Sequence, residues 1–294
     1  MASHGILLVD KPGGMSSHDV VARVRRAFGT RKVGHAGTLD PMATGLLVIG
    51  IEGATRLLTY IVGADKTYTA TIRLGARTTT DDAEGDLVDT ADTTSVEDAA
   101  LRGGIRSLTG AISQVPSSVS AIKVAGRRAY DLVRAGESVE LAAREVTVSR
   151  FDLLDQRRVD GFLDLDVIVD CSSGTYIRAL ARDLGDMLGV GGHLTALRRT
   201  RVGGFEVDGA VGIDELEGAA TLTPAEAAER VMPTLAVTGE EARDLRHGKR
   251  LVGQRDRLTA SEVAALDPDG TLVGILEARG RDIKSAMNMP EVQA

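Results

Sequence analysis

The stretch Gly161-Phe162-Leu163-Asp164-Leu165-Asp166-Val167-Ile168-Val169-Asp170-Cys171 decides the fold class. Leu163, Leu165, Val167, Val169 and Cys171 alternate with Asp164, Asp166, Ile168 and Asp170, the period of two at which side chains leave opposite faces of a strand. One face is apolar and the other carries carboxylates, so the strand belongs in a sheet with one wet face and antiparallel neighbours. A strand buried on both faces would read as an unbroken apolar run.

The same alternation runs from Lys66 to Gly75, with Tyr68, Ala70, Ile72 and Leu74 on one side and Thr67, Thr69, Thr71 and Arg73 on the other. It places Tyr68 at the start of a strand, on its covered face. Further strands are predicted at Gly5–Val9, 46–51 and 145–154. Helical spacing separates them. Val20, Val24 and Phe28 follow a cap at Ser16 or Ser17 and stop at Gly29, while Ile177, Leu180, Ala181, Leu184 and Leu188 run to Gly189. A short helix carries Leu57, Leu58 and Ile61. A helix over 95–109 is expected to be weakened by Gly103-Gly104, and residues 76–94 read as a polar loop. The class is α+β, a central mixed, largely antiparallel sheet flanked by helices and loops.

Two departures from this pattern set the domain organisation. Residues 115–143 are small, polar and basic, an insertion between strands in which Gly126–Arg134 could form an amphipathic helix. At Thr223-Pro224-Ala225-Glu226 a capping box with proline at the first helical position opens a helix that ends near Met232-Pro233. The boundary is set there: residues 1–233 form one domain, and 234–294 a small, mostly β module with a helix at Glu240–Gly248, a turn at Leu266–Gly270 and a strand at Leu272–Leu276.

Composition narrows the function. Of 294 residues, 43% are hydrophobic and 26% charged, which excludes a disordered or fibrous chain. No apolar run reaches the roughly 18 residues of a membrane span, and the first residues lack a signal pattern; a cytoplasmic location and no membrane partner are expected. One cysteine, Cys171, excludes an intrachain disulfide, and the five histidines lack metal-ligand spacing. No metal and no cofactor are expected. Aromatics are scarce, 3% with no Trp, so Tyr68, Tyr130 and Tyr176 are not all routine core filler, although the strand pattern by itself reads Tyr68 as core packing with a satisfied hydroxyl. The net charge of -7 hides an uneven distribution. An acidic run spans Asp81 to Asp98, whereas Arg23–Lys32, Lys123–Arg134 and Arg198–Arg201 are basic clusters, each either a solvated helix face or part of a composite surface for a polyanion.

The chemistry centres on Gly34-His35-Ala36-Gly37-Thr38-Leu39-Asp40-Pro41. An aspartate between glycines and a proline, ahead of an apolar run, is either an ordinary turn or a carboxylate held at the mouth of a strand. Arg178 and Arg182 share a helix face near its N-terminus, against the dipole. They point to a specific anionic partner, or else to ion pairs with Asp183 or Asp186. Gly13-Gly14 beside Lys11 lacks the spacing of a triphosphate loop.

Taken together, Gly5–Ser17, Gly34–Gly45, Lys66-Thr67-Tyr68, Ser173–Arg178 and Leu197-Arg198-Arg199 resemble, in order, the motifs of the TruB family of tRNA pseudouridine synthases; Pro116–Gly126 resembles the family's substrate-clasping insertion. The resemblance implies a pseudouridine synthase fold with a short PUA-like RNA-binding domain from 234 onward. It also implies isomerisation of uridine 55 in the T arm of tRNA, without metal or cofactor. By resemblance Asp40 is the catalytic carboxylate, Tyr68 the tyrosine that stacks on the target base, and Arg178 the arginine that pairs with the aspartate. Tyr176 and Leu197 line the pocket, and His35 fills the space left by flipped nucleotides. Lys11, Arg127, Arg198 and Arg199 are assigned to substrate binding. The partner is the tRNA T-arm stem-loop; no obligate protein partner is implied, and a monomer is expected.

Cleaving an N-glycosidic bond builds positive charge on the sugar, which an ionised carboxylate stabilises or attacks. An adjacent arginine keeps such a carboxylate ionised when burial opposes it. The target must leave the stack, at a cost of a few kcal/mol, part of which stacking on a tyrosine returns. An RNA-binding, tRNA-folding factor in which modification is secondary is the alternative. A carboxylate glycosidase would need a second carboxylate near Asp40, and none is persuasive.

Overall fold

The structure, a computed structural model, describes residues 4–117, 123–124, 127–128 and 141–290. In chain order the elements begin with β1 (Gly5–Lys11), α1 (Ser17–Ala27), β2 (Val33–His35), β3 (Thr44–Ile51) and a 3-10 turn (Glu52–Leu57) that runs into α2 (Leu58–Ile61). There follow β4 (Lys66–Leu74), β5 (Ala76–Thr78), β6 (Leu87–Thr90), α3 (Asp98–Ser107), β7 (Gly110–Gln114), β8 (Lys123–Val124) and β9 (Arg127–Arg128). Next come β10 (Arg144–Val159), β11 (Phe162–Cys171), α4 (Ile177–Met187), β12 (Gly192–Val202), β13 (Phe205–Glu206) and β14 (Val211–Gly212). The chain closes with α5 (Pro224–Glu229), β15 (Thr234–Ala236), α6 (Gly239–Arg246), β16 (Val263–Leu266), β17 (Leu272–Arg279) and β18 (Asp282–Asn288). None of the helices among the described residues is long and apolar enough to cross a membrane.

Two compact units divide the chain. One comprises residues up to Pro41, Gly45–Ala64 and Arg201 onward; the other comprises Met42–Thr44 and Asp65–Thr200. In the first, β1 lies between β14, parallel, and β3, antiparallel from Gly5↔Ile51 to Lys11↔Gly45, and β2 adds to β3. β1 and β3 are buried on both faces and therefore read as apolar runs without alternation. Leu7, Val9, Leu47 and Ile49 pack on Val20, Val21 and Val24 of α1, whose amphipathic stripe begins at an Ser16–Asp19 capping box. On the opposite face Ile6, Leu8, Leu46 and Val48 join Leu57, Ile61, Phe205 and Ala228.

From Thr234 the chain forms its own four-stranded sheet, β15-β16-β17-β18, around Val237, Leu245, Val273, Leu276 and Ile283. Its other residues Ala264, Leu272 and Ile275 belong to the cluster that covers β1 and β3. This sheet begins at Thr234, and the compact unit continues through it.

In the second unit the strand order is β12-β4-β11-β10-β7. β4 and β11 are antiparallel from Lys66↔Cys171 to Leu74↔Leu163. The carboxylates that gave β11 its wet face each meet the residue directly opposite: Thr67 donates to Asp170 at 2.6 Å, Thr71 to Asp166 at 2.6 Å, and Arg73 grips Asp164 at 2.7 and 2.8 Å. Cross-strand pairs of this kind pin the register.

Three local expectations are corrected. Residues 76–94 contain a hairpin, β5 with β6, in which Arg77 pairs with Asp89; Leu87 and Val88 remain exposed, so it has no apolar alternation to betray it. α3 is not spoiled by its glycines. A Cβ on Gly104 would lie 2.7 Å from Leu184 Cδ1, so its absence lets α3 approach α4. Inside the insertion, Arg127 and Arg128 lie in β9, paired with β8, where a helix was expected. The remainder of that expected helix, Tyr130 and the side chain of Arg127 lie outside the described residues.

Candidate active site

Asp40 sits on the connection between β2 and β3, and its two neighbours in sequence are tied down independently. Ser17, at the first position of α1 and fully buried, accepts a hydrogen bond from the Leu39 N–H at 2.9 Å and donates one to the Leu39 carbonyl at 3.1 Å. The Pro41 carbonyl accepts from Gly14 N–H at 2.8 Å and from Lys11 Nζ at 3.2 Å. The loop turns at Gly37, φ 94°, a conformation costly for any residue with a Cβ. Ala36, Leu39 and Ala43 are buried, whereas Asp40 is half-buried. The carboxylate thus rides on a backbone with little freedom. His35, the last residue of β2, is half-buried, its ring edge-on to that of His18 at 5.8 Å.

Lys11 departs from the picture of a cation displayed to RNA. It is fully buried, and its ammonium donates to the carbonyls of Pro12, Met15 and Pro41 at 2.9, 2.6 and 3.2 Å. Its visible work is to hold the Asp40 loop.

The second unit supplies the other candidates. Tyr68 is 8% exposed on β4, opposite Val169. Arg178 stands in the first turn of α4, almost wholly buried; it donates to the Thr80 carbonyl at 2.9 Å and lies 3.4 Å from Asp82 Oδ2. Asp82 is also buried and accepts from Thr80 Oγ1 at 2.5 Å and from Glu84 N–H at 3.0 Å. One helical turn on, Arg182 forms ion pairs with Asp183 at 2.7 Å and Asp81 at 3.4 Å. Asp81 adopts φ 60°, a left-handed conformation that Asp tolerates better than most residues. The start of the acidic run is therefore folded inward against the two arginines.

Tyr176 is half-buried and serves as the N-cap of α4. The Gln114 side chain holds its backbone N–H and carbonyl at 2.8 and 3.1 Å, and the Arg144 guanidinium lies 5.6 Å from its ring centroid. Leu197 is 8% exposed on β12, and the half-buried Arg198 reaches Thr44 Oγ1 at 3.5 Å. Arg199, like Lys11, is enclosed, at 1% exposure. Near it Lys66 is buried, and desolvation, with Arg199 adding to it, lowers the lysine to a pKa of about 8. Burial raises the Cys171 thiol to about 11.

Reasoning from sequence missed Ser17 as a loop anchor, Asp82 as the carboxylate beside Arg178, and Gln114 and Arg144 around Tyr176. Only Ser17 had a local signal, as a candidate helix cap.

Comparison with known proteins identifies the class. The family model described as TruB family pseudouridylate synthase (N terminal domain) matches residues 25–177; that of the tRNA pseudouridylate synthase B C-terminal domain matches 178–238; and that of tRNA Pseudouridine synthase II, C terminal, matches 232–290. The chain belongs to the TruB family of tRNA pseudouridine synthases, isomerases that convert uridine to pseudouridine.

At the level of individual proteins, it is similar to the tRNA pseudouridine synthase B of Leifsonia xyli subsp. xyli (strain CTCB07), with 59% identity over 99% of this chain and 98% of the relative. The enzyme of that name from Nocardia farcinica (strain IFM 10152) is 58% identical over 94% of this chain and 90% of the relative. Among solved structures, the fold matches a chain of an H/ACA RNP bound to a substrate RNA containing 2'-deoxyuridine: TM-score 0.72, 23% identity, 98% of this chain and 85% of that one. It also matches a chain of an archaeal box H/ACA sRNP Nop10-Cbf5 complex, with TM-score 0.71, 25% identity and coverage of 99% and 86%.

Proposed function

We propose that this enzyme isomerises the uridine at position 55 in the T arm of tRNA, with Asp40 as its catalytic carboxylate. The observation that carries the reading is the double anchoring of Leu39 and Pro41 around Asp40. An ordinary surface turn has no need of a buried serine and a buried lysine; a carboxylate that must meet a sugar carbon in one geometry does, because an error of about 1 Å can cost roughly 100-fold in rate.

The reaction breaks the bond between uracil N1 and ribose C1′, turns the base and joins C1′ to C5; the C5 proton is lost and N1 gains one. The leaving uracil withdraws electrons from the sugar, and an ionised carboxylate stabilises that charge or forms a covalent intermediate. Arg178 is the guanidinium that favours the ionised form, and Tyr68 offers a π-face to the extruded base, a contact worth roughly 1–3 kcal/mol. Tyr176 and Leu197 line the pocket, and His35 fills the gap left in the RNA.

Arg127 and Arg198 contact phosphate, as does the four-stranded sheet beyond Thr234, whereas Lys11 and Arg199 support the site from within. If several phosphates are neutralised, affinity falls with log salt at a slope of about -0.7 to -0.9 per contact. The test is to incubate the enzyme with an unmodified tRNA transcript and map pseudouridine by sequencing. Conversion at uridine 55 alone supports the reading; conversion elsewhere with uridine 55 untouched refutes it.

A further inference from the structure

We propose that Gln114 is a positioning residue for pseudouridine formation, fixing the start of α4 so that Tyr176 and Arg178 meet the substrate in one arrangement. The inference rests on the roles given above to Tyr176 and Arg178.

Helices usually begin on Ser, Thr, Asp or Asn, whose side chain caps the exposed N–H groups. α4 begins on Tyr176, and no side chain of its own caps it. Gln114 instead reaches across 62 residues of sequence, accepting from the Tyr176 N–H at 2.8 Å and donating to the Tyr176 carbonyl at 3.1 Å. Its amide orientation is forced, because an N–H needs the oxygen and a carbonyl needs the NH2. A carboxamide supplies an acceptor and a donor side by side on one carbon, and asparagine is a methylene too short from the same backbone position. Gln114 is fully buried, so water does not compete for either bond.

The clamp is itself rigidly mounted. Gln114 is the last residue of β7 and pairs with Arg144 of β10. Arg144 is the residue whose guanidinium lies over the Tyr176 ring. Two directly paired strand positions therefore hold one residue, the first by its backbone and the second by its ring. A separate tie secures the following turn of α4. Arg182 donates to the Val115 carbonyl at 2.7 Å, and Ser117 donates at 2.6 Å to Asp81, the partner of Arg182. Loss of the Gln114 clamp thus leaves α4 attached and removes the tie on its N-cap, two residues before Arg178.

Two variants test this. Gln114→Met keeps the side-chain length and loses both bonds; Gln114→Glu keeps the acceptor and loses the donor when its carboxyl is ionised. Single-turnover pseudouridine formation at saturating unmodified tRNA transcript, the tRNA Kd and the melting temperature are measured for each. Gln114→Met is then repeated in an Arg178→Lys background. The expected result is a rate loss of ~10- to 100-fold for Gln114→Met and a smaller one for Gln114→Glu, with Kd unchanged within about threefold. In the Arg178→Lys background, Gln114→Met should cost less than about threefold more, since the same alignment is already lost.

A folded Gln114→Met with a rate within about twofold of the parent overturns the proposal, as do losses that multiply fully in the Arg178→Lys background. If Gln114→Met does not fold, Gln114→Glu decides on the same criteria. Asp40→Asn is run alongside. Full turnover by Asp40→Asn removes the underlying site assignment, whereas an inactive Asp40→Asn with a fully active Gln114→Met removes only the role of Gln114.

Discussion

Ser17 and Leu39 exchange two hydrogen bonds, at 2.9 and 3.1 Å, across 22 residues of sequence. One hydroxyl thereby satisfies both backbone groups of the residue before Asp40, as a neighbouring strand would. Helix α1 and the Asp40 loop are joined through this side chain.

Ser17→Ala should leave the buried Leu39 N–H and carbonyl without these partners, a loss of about 1–3 kcal/mol in stability. Because the slack falls beside Asp40, turnover should drop roughly tenfold at temperatures where the variant is still folded. Urea titration and single-turnover kinetics on one preparation check both; loss of stability without loss of rate would show that the anchor serves folding alone.

Gly103 and Gly104 should respond to alanine with opposite signs. The nearest heavy atom to a Cβ on Gly103 is 3.9 Å away, so Gly103→Ala gains helix propensity, about 0.5–1 kcal/mol. At Gly104 the Cβ meets Cδ1 of Leu184, a fully buried side chain, and overpacking typically costs about 1–3 kcal/mol. Thermal melts of the two variants should move in opposite directions; a stabilised Gly104→Ala would mean that α3 and α4 can separate at little cost.

Asp82→Ala should be strongly destabilising. The Arg178 and Asp82 side chains are 5% and 4% exposed, and removing one member of a buried ion pair typically costs about 3–5 kcal/mol because the other charge stays behind. Asp82→Asn retains an acceptor for Thr80 and Glu84 and should cost less. Denaturant midpoints in that order bear out the pairing; equal stability of the alanine variant and the parent contradicts it.

Lys66 makes stability depend on pH. Its folded pKa is lowered from 10.5 to about 8, so from pH 8 to 10.5 the unfolded chain binds more protons and stability rises with pH. Cys171 opposes this only above its unfolded value of 9.0, because its folded pKa is raised to about 11. Between pH 7.5 and 9 the parent should therefore gain stability relative to Lys66→Met. Urea titrations across that window measure the difference, and a flat or falling difference contradicts the burial cost assigned to the ammonium.

What could be read before the fold was known followed from local periodicity. The alternation in Lys66–Gly75 and Gly161–Cys171 survives because those strands are covered on one face only, and each of their Asp residues finds a partner directly across the sheet. The β5–β6 hairpin carried no such mark, because its apolar residues Leu87 and Val88 face solvent. Charge was the least legible property. Assigning Lys11 and Arg199 to substrate binding and Asp81 and Asp82 to an acidic run said nothing of their burial, because burial of a charge depends on partners distant in sequence, as the separation of 98 between Thr80 and Arg178 shows. Asp40 stood out locally, flanked by glycine and proline. The side chains that hold its loop and the α4 N-terminus, Ser17, Lys11 and Gln114, did not, since each acts on backbone groups that any sequence would present.

The role of Asp40 is the centre of the account, and Asp40→Asn tests it most directly. The substitution keeps shape and hydrogen-bonding capacity but removes the negative charge. With unmodified tRNA transcript at saturating enzyme, binding should remain within a few-fold of the parent, about 1 kcal/mol or less, while no pseudouridine forms at uridine 55 over many parental half-times. Pseudouridine formation by Asp40→Asn at the parental rate would contradict the account.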